Sequence, residues 1–315
     1  MKVLTICIPC HNNLQEMHKA IGSCLLMIDD IQLLLVDENS DDSTYDVLLE
    51  YQNEYPNDIK VIKLDHENMS YLDIRDSIDG LYFKLLRATS YFKKGSLVTL
   101  VETLQDFIRV QANLDLVIND YQIERETKKP LKYSFDKILK TEKLLGWHSK
   151  GVSTIFNYKA ITIKTSIFKK AFDTYPNLGN YLFDSIGYNG LEEINSLYYL
   201  EEVLYTQADK HKHPKDYYVL ASALIATYHA DSLKSHNKRI YSRKYLTSYA
   251  LKALVQLLDH DDYCRAEDLL QQISLQPKLA KRLNKEMYGN VMSVNKLISV
   301  NKNKLLRKKV EKIDF

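Results

Sequence analysis

Hydrophobic positions in the first part of the chain form short continuous runs separated by sets at helical spacing. Apolar runs of strand length cover residues 3–8 and 31–36, and an alternating run covers residues 59–64. Between them, residues 14–27 and 45–55 carry apolar side chains at the spacing of one helix face. Strand, helix, strand, helix, strand makes two βαβ units, and this order predicts a parallel sheet.

Two polar turns follow the first two predicted strands, at residues 9–13 and 37–44. In a parallel sheet of this kind, ligands bind beyond the carboxyl ends of the strands. Both turns lie at that edge and are therefore the leading candidates for a binding site. The cluster at 37–44 also suits a simpler role, because its Asp, Asn, Ser and Thr side chains can cap the helix that follows.

The remaining pattern divides the chain into two parts. Strand-like segments and one helix continue the α/β pattern, at residues 81–86, 97–112 (the helix), 114–118 and 154–163. After Asp216 the pattern is helical throughout, over residues 217–229, 241–258, 263–275 and 277–292. We therefore predict an α/β domain over residues 1–210 and a helical bundle over residues 211–315.

Composition and charge narrow the class of protein. The 315 residues suffice for one large domain or two ordinary ones, and the net charge of +2 gives no global attraction to nucleic acid. There is no signal-peptide pattern and no apolar run near the ~20 residues that span a bilayer. The four cysteines do not suggest a disulfide framework. We expect a cytoplasmic protein, and the Lys, Asn, Ile and Tyr usage is typical of an AT-rich bacterial genome.

Two sequence blocks resemble the family 2 glycosyltransferases. Residues 5–12, T-I-C-I-P-C-H-N, resemble the family's opening "S-I-I-I-P-x-Y-N". Residues 34–44, L-L-V-D-E-N-S-D-D-S-T, resemble its "I-V-V-D-D-G-S-T-D-x-T", and the spacing between the blocks also agrees. The resemblance implies a GT-A fold, which is Rossmann-like with a mostly parallel sheet.

In that family the two turns hold the uridine part of a nucleotide-sugar. The resemblance assigns Pro9, His11 and Asn12 to the first turn, with His11 at the position of the aromatic that stacks on the base. It assigns Asp37 and Glu38 to the acidic pair, which accepts hydrogen bonds from the uracil N–H and the ribose hydroxyls.

A third block departs from the family pattern. Residues 80–92, G-L-Y-F-K-L-L-R-A-T-S-Y-F, resemble a subgroup's "G-K-Y-F-K-V-V-D-S-D-D-W-F", in which the aspartates of a D-x-D motif hold Mg²⁺ or Mn²⁺ against the diphosphate. Residues 87–90 are Arg, Ala, Thr and Ser, so we expect no divalent metal and no other cofactor. Arg87 is instead a candidate to grip the phosphates directly. A different register would place the motif at Glu102, where only one acid is present.

The resemblance weakens further along and ends near residue 206. Residues 116–121 are similar to "D-L-I-x-T-N-Y", and residues 160–165 to "H-A-L-T-Y-R-T", with Lys159 where that subgroup has histidine. The family's later acidic base corresponds to Asp184, although the neighbouring acid is absent. Asp184 is therefore the candidate catalytic residue.

Two functions agree with these observations. The first is transfer of a sugar from a UDP-sugar donor to a hydroxyl of a glycan or protein, without the usual metal motif. The second is a catalytically inactive pseudo-glycosyltransferase that serves as a binding or scaffolding partner of another glycosyltransferase. The resemblance favours the first, whereas the combined loss of the D-x-D acids, the histidine and a clear base favours the second.

Other motifs have simpler interpretations. Cys7 and Cys10 form a C-x-x-C pair, but Cys7 lies within the first apolar strand, so we expect a buried, unreactive thiol rather than a redox site. Residues 259–262 contain a literal D-x-D between two predicted helices, as expected for a turn and a helix cap. The basic segment 296–312 is a candidate for a packed terminal helix or for peripheral contact with an anionic membrane.

Overall fold

The computed structural model describes residues 2–126, 128–141, 143–149, 152, 156–208, 216–228 and 232–286. It divides the chain into two compact units, Met1–His211 and Lys212–Phe315. The described strands are β1 Leu4–Cys10, β2 Ile31–Glu38, β3 Ile59–Leu64, β4 Tyr82–Leu85, β5 Ser90–Phe92, β6 Leu116–Ile123, β7 Leu131–Tyr133, β8 Leu144–Gly146, β9 Ile161–Lys164 and β10 Ser196–Gln207. The described α-helices are α1 Met17–Gly22, α2 Thr44–Glu54, α3 Tyr71–Ile74, α4 Ser96–Arg109, α5 Thr165–Thr174, α6 Leu182–Ser185, α7 Tyr217–Ala226, α8 His236–Asp259, α9 Tyr263–Ser274 and α10 Pro277–Glu286.

One mixed sheet forms the centre of the first unit. Its main strand order is β3-β2-β1-β4-β9-β6-β10-β5, with β7 paired to β6 and β8 to β10. The strands β3, β2, β1 and β4 are parallel neighbours, as two βαβ units require. Strand β9 is antiparallel to both β4 and β6, whereas β10 runs parallel to β6. The predicted α/β fold is confirmed.

Strands β1 and β2 are buried along almost their whole length, which explains their continuous apolar sequence. A short hydrogen-bonded chain fixes β4 beside them. The hydroxyl of Thr5 donates to Gln32 Oε1 at 2.6 Å and accepts from the Gly80 N–H at 2.8 Å. A side chain on Gly80 would collide with the backbone of β1. The close approach of Gly80 therefore sets where β4 begins, and with it the position of the loop that follows β4.

Several predicted elements differ from the structure in extent. The predicted helix over 14–27 is too long, because α1 ends at Gly22 and only a 3₁₀ turn follows, at Leu25–Met27. Glycine is a poor helix former, and Gly22 therefore accounts for the end of α1 at this position. The predicted strand over 154–163 is also wrong in extent: residues 158–160 form a 3₁₀ turn and β9 begins at Ile161. Neither α5 nor β10 was predicted.

The described part of the second unit consists of helices. Side chains of Asp216, Ser235 and Asp262 accept backbone N–H bonds at the starts of α7, α8 and α9. The long helix α8 begins at His236 rather than at the predicted residue 241. Asp262 is the cap of α9, so the acidic sequence at 259–262 forms the turn and helix cap that was predicted.

Candidate functional site

The turns that follow β1 and β2 are bound to each other. The Nδ1 atom of His11 lies 2.8 Å from the carbonyl oxygen of Glu38. The Asn12 backbone N–H donates to Ser40 Oγ at 3.1 Å, and the Asp41 N–H donates to Asn12 Oδ1 at 3.0 Å. Two segments nearly 30 residues apart are thereby held as one surface at the carboxyl edge of the sheet.

Pro9 is part of the strand and not of the turn. It is buried near the end of β1, opposite Val36 of β2. The ladder between β1 and β4 covers only Leu4–Cys7, so Pro9 lies beyond the pairs on that side. This position suits a residue that has no N–H to donate. His11 and Asn12, which follow the end of β1, are the residues of the first motif that lie in the turn.

The two acids of the second motif differ in exposure. Asp37 is fully buried, and within the described residues neither of its carboxylate oxygens has a hydrogen-bond partner. Glu38 is half-buried, and its Oε1 accepts from the Met69 N–H at 2.5 Å. Burial raises the pKa of Glu38, and the Met69 N–H and the charges of Arg87 and His11 partly oppose that shift. Glu38 is therefore the acid of the pair that a ligand can touch directly.

Arg87 lies in the connection between β4 and β5, enclosed by aromatic side chains. Its Nε–H donates to the Tyr158 hydroxyl at 2.9 Å, and its backbone N–H donates to the Tyr205 hydroxyl at 3.3 Å. The guanidinium carbon lies 4.2 Å from the ring centre of Phe183 and 5.5 Å from that of Tyr158. No hydrogen bond from Nη1 or Nη2 to another described residue is present. The terminal nitrogens are thus available to a ligand.

Electrostatics link Arg87 to two of the other predicted site residues. Burial opposes the charged form of Arg87, but Tyr158, Tyr205 and Asp184 outweigh it and raise the pKa of the guanidinium. The same positive charge acts to lower the pKa of Glu38. Asp184 lies in α6, next to the Phe183 ring that covers Arg87. Arg87 therefore interacts electrostatically both with Glu38, at the end of β2, and with Asp184, on α6.

The residues present do not fit a D-x-D metal site. Positions 87–90 provide no carboxylate, and the Ala88 and Ser90 side chains are buried. Within the ranges that the structure describes, no group of three or more His, Cys, Asp or Glu side chains is placed to hold a metal ion. The alternative acid, Glu102, is exposed in the middle of helix α4 rather than at a strand end.

Sequence reasoning missed the residues that surround Arg87. Tyr158, Phe183 and Tyr205 come from the 3₁₀ turn before β9, from α6 and from β10. Met69, which binds Glu38, comes from the segment before α3. The pattern "H-A-L-T-Y-R-T" gave a signal close to Tyr158, and the assignment of Asp184 gave one next to Phe183, but no sequence signal pointed to Tyr205 or Met69.

The remaining motifs do not add to the site. Cys7 and Cys10 are buried and form no disulfide, and burial raises the pKa of both thiols, so a redox role has no support. The basic segment 296–312 lies outside the described residues. None of the described helices combines the length and the apolar character that crossing a membrane would require.

Similarity to known proteins supports the fold and the first two motifs. Residues 5–70 match the family model "Glycosyl transferase family 2". A comparison with curated proteins finds no match. Among solved structures, S. aureus TarS 1-349 in complex with UDP-GlcNAc matches with a TM-score of 0.64 at 12% identity, covering 96% of this chain and 91% of that one. TarS 1-349 in complex with UDP gives a TM-score of 0.61 at 12% identity with the same coverage.

A longer TarS chain is matched over a smaller part of its length. Its TM-score is 0.63 at 11% identity, and the match covers 96% of this chain but 55% of the TarS chain. At these identities the structural matches establish the fold, which is the mixed α/β sheet of the GT-A glycosyltransferases. Residues 5–70 are thus similar to the family 2 glycosyltransferases, and the structure as a whole has the fold of the GT-A glycosyltransferases.

Proposed function

We propose that the first unit binds a nucleotide-sugar of the uridine diphosphate type at the carboxyl ends of β1, β2 and β4. The observation that carries the proposal is the state of Arg87. By the sequence resemblance, Arg87 takes the position of the D-x-D motif. Its guanidinium interacts electrostatically with Glu38 and Asp184 and keeps Nη1 and Nη2 available. A guanidinium can grip two phosphate oxygens at once, so Arg87 supplies the positive charge that a metal supplies elsewhere in the family.

The nucleoside would lie against the turns after β1 and β2. The His11 side chain is 31% exposed, which leaves part of its ring for stacking on a base. Glu38 offers carboxylate oxygens to the N–H and hydroxyl donors of a uridine. The hydrogen bonds between the turns hold these two groups in place before a ligand arrives.

The same arrangement supports a transfer reaction. Asp184 would take the proton of an acceptor hydroxyl on a glycan or a protein, and the acceptor oxygen would then attack the anomeric carbon of the sugar. The bond from that carbon to the diphosphate oxygen breaks, and the diphosphate leaves with the electron pair. Arg87 would stabilise the charge that develops on the diphosphate.

The named ligands of the similar structures guide the choice of donor. The S. aureus TarS structures are described as complexes with UDP-GlcNAc and with UDP. Those ligands belong to TarS, and they make UDP the first nucleotide to test here. The sugar and the acceptor are open within the class of UDP-sugars and hydroxyl acceptors.

One set of observations favours a second candidate function, binding without transfer. Positions 87–90 hold no carboxylate, and Lys159 stands where the related subgroup has histidine. A protein of this kind would keep the nucleotide site and act as a binding partner of an active glycosyltransferase. The two candidates share the nucleotide site and differ only in turnover.

Calorimetry with UDP, in EDTA and then in Mn²⁺, tests the shared site. We expect binding in EDTA, changed by no more than about twofold when Mn²⁺ replaces EDTA, because the guanidinium provides the charge. Binding only in Mn²⁺ would show that the interpretation of Arg87 is wrong, and no binding in either buffer would refute the nucleotide site.

Turnover of a UDP-sugar then separates the two candidates. Slow hydrolysis in EDTA that is lost in Asp184→Asn, while UDP affinity is kept, identifies a transferase. Binding of UDP by the wild-type protein without any turnover of a panel of UDP-sugars identifies the binding module.

A further inference from the structure

We infer that Tyr158 and Phe183 are positioning residues that fix the guanidinium of Arg87 while leaving its terminal nitrogens available to a diphosphate. The inference rests on the proposed function for its ligand. Its structural part, that these two side chains hold Arg87, can be tested without any ligand.

Tyr158 acts through its hydroxyl. That oxygen accepts the Nε–H of Arg87 at 2.9 Å, and Tyr158 itself is only 8% exposed. Its ring meets the Tyr205 ring edge-on, with centres 5.8 Å apart at 85°. The residue also lies in a short turn that Asn157 caps, at the start of β9. Tyr158 is therefore held by its own surroundings and presents a fixed acceptor to Arg87.

Phe183 acts through its ring. The guanidinium carbon lies 4.2 Å from the centre of this ring, which is within the range of a cation–π contact. The Phe183 ring in turn meets the Tyr158 ring edge-on, with centres 4.8 Å apart at 84°. The Phe183 ring carries no oxygen or nitrogen acceptor, so it restrains Arg87 without forming a conventional hydrogen bond to Nη1 or Nη2.

The two contacts reduce the conformational freedom that Arg87 would otherwise lose on binding a phosphate, a loss that a bound metal ion does not have. An arginine side chain has many rotamers, and an unrestrained one loses that freedom when it binds a phosphate. Groups that hold the side chain in advance reduce this loss and increase affinity. The hydrogen bond at Nε and the contact with the Phe183 ring together restrain the side chain, so Arg87 behaves as a fixed charge.

Calorimetry with two ligands separates positioning from general stability. UDP and uridine are titrated in EDTA into Tyr158→Phe and Phe183→Leu. The matched control is Tyr82→Phe, since the Tyr82 hydroxyl is also buried and donates to the Leu114 carbonyl at 3.0 Å, away from Arg87. We expect the two test variants to lose about 10-fold in UDP affinity, as for a weakened charged hydrogen bond, with uridine affinity unchanged within about twofold. The control should leave both affinities unchanged.

A second measurement reads Arg87 directly. In ¹⁵N-labelled protein, the Nε–H signal assigned by its loss in Arg87→Lys should be sharp and slow to exchange in the wild type, and broadened or lost in Tyr158→Phe. Equal weakening of UDP and uridine, or an unchanged UDP affinity with a retained Nε–H signal, would overturn the positioning role. If the wild-type protein binds neither ligand, the proposed function is wrong, and so is the role of Arg87 in binding a diphosphate. The Nε–H signal then still shows whether Tyr158 holds Arg87.

Discussion

The two sides of the candidate site are built in different ways. On the nucleoside side, the turns after β1 and β2 follow a family motif and bind each other through hydrogen bonds within the motif. On the phosphate side, residues 87–90 in the loop after β4 hold no carboxylate, and Arg87 is held by Tyr158 and Tyr205, which are 71 and 118 residues away. The first side is thus built from contacts between two short sequence motifs, whereas the second depends on contacts between distant segments.

The largest effect should come from a substitution in β4, the strand that leads into the loop of Arg87. Lys84 of β4 is fully buried, and its ammonium donates to Asn119 Oδ1 at 3.1 Å and to the carbonyls of Lys159 and Ile161 at 3.2 and 3.0 Å. Lys84→Met removes these three buried hydrogen bonds, so we expect the free energy of unfolding to fall by about 2–4 kcal/mol, measured by urea denaturation at pH 7. An unchanged midpoint would show that the phosphate side does not depend on this lysine.

The same variant has a pH dependence of defined sign. Burial lowers the pKa of Lys84 to about 7, so above that pH the folded lysine loses its proton while the unfolded one keeps it. Stability from this group is therefore fully present above the unfolded pKa and is lost as pH falls towards 7. Between pH 7 and 9 the wild type should gain about 2 kcal/mol relative to Lys84→Met. Parallel stability curves for the two proteins would contradict this shift.

Reversing the charge at Arg87 should produce the next largest effect. Arg87→Asp replaces an attraction to the diphosphate with a repulsion, and we expect UDP affinity in EDTA to fall about 100-fold while uridine affinity stays the same. Arg109→Asp is the control, because Arg109 lies at the exposed end of α4 and pairs with Asp106. Loss of uridine binding in Arg87→Asp would mean that the two sides are not separable.

Glu38→Gln tests the nucleoside side. Glu38 binds the Met69 N–H, and the amide that replaces it keeps an acceptor for that bond but offers fewer to a ligand. We expect the affinities for UDP and uridine to fall together by about 10-fold in calorimetry. Glu102→Gln, on the exposed face of α4, should change neither. A loss confined to UDP would place Glu38 on the phosphate side instead.

The smallest effect should come from exchanging one ring for another. His11→Phe keeps an aromatic surface for the base and removes the contact between Nδ1 and the Glu38 carbonyl. We expect uridine affinity to change by less than about threefold, whereas His11→Leu should weaken it further, because stacking needs a π face. Equal uridine affinities in the phenylalanine and leucine variants would show that the residue at position 11 does not stack on the base.

Sequence patterns predicted the strands that lead into the two turns well, because these elements are local. The strand over residues 59–64 has the bounds that were predicted, and β1 and β2 extend only slightly beyond their apolar runs. Strand β10 was missed because its pairing with β6 shifts register between Leu200 and Val203, where Glu201 and Glu202 interrupt the apolar pattern. A bulge of this kind destroys the period of two on which strand prediction depends.

The surroundings of Arg87 could not be predicted for a related reason. Tyr158 and Phe183 approach the guanidinium only after β9 and α6 have been placed by the sheet. A chain with 23 tyrosines offers many candidates, and spacing along the sequence does not select among them. The absence of carboxylates at residues 87–90 was visible in the sequence, but the contacts that hold Arg87 are visible only in three dimensions.

The contact between His11 and the Glu38 carbonyl also fixes the tautomer of the imidazole. A carbonyl oxygen can only accept, so the hydrogen of the neutral ring must lie on Nδ1. The Nε2 atom then carries a lone pair, and Asn12 Nδ2 lies 3.4 Å from it. A neutral His11 therefore has no N–H left for a nucleotide and offers its ring face and, at Nε2, only an acceptor.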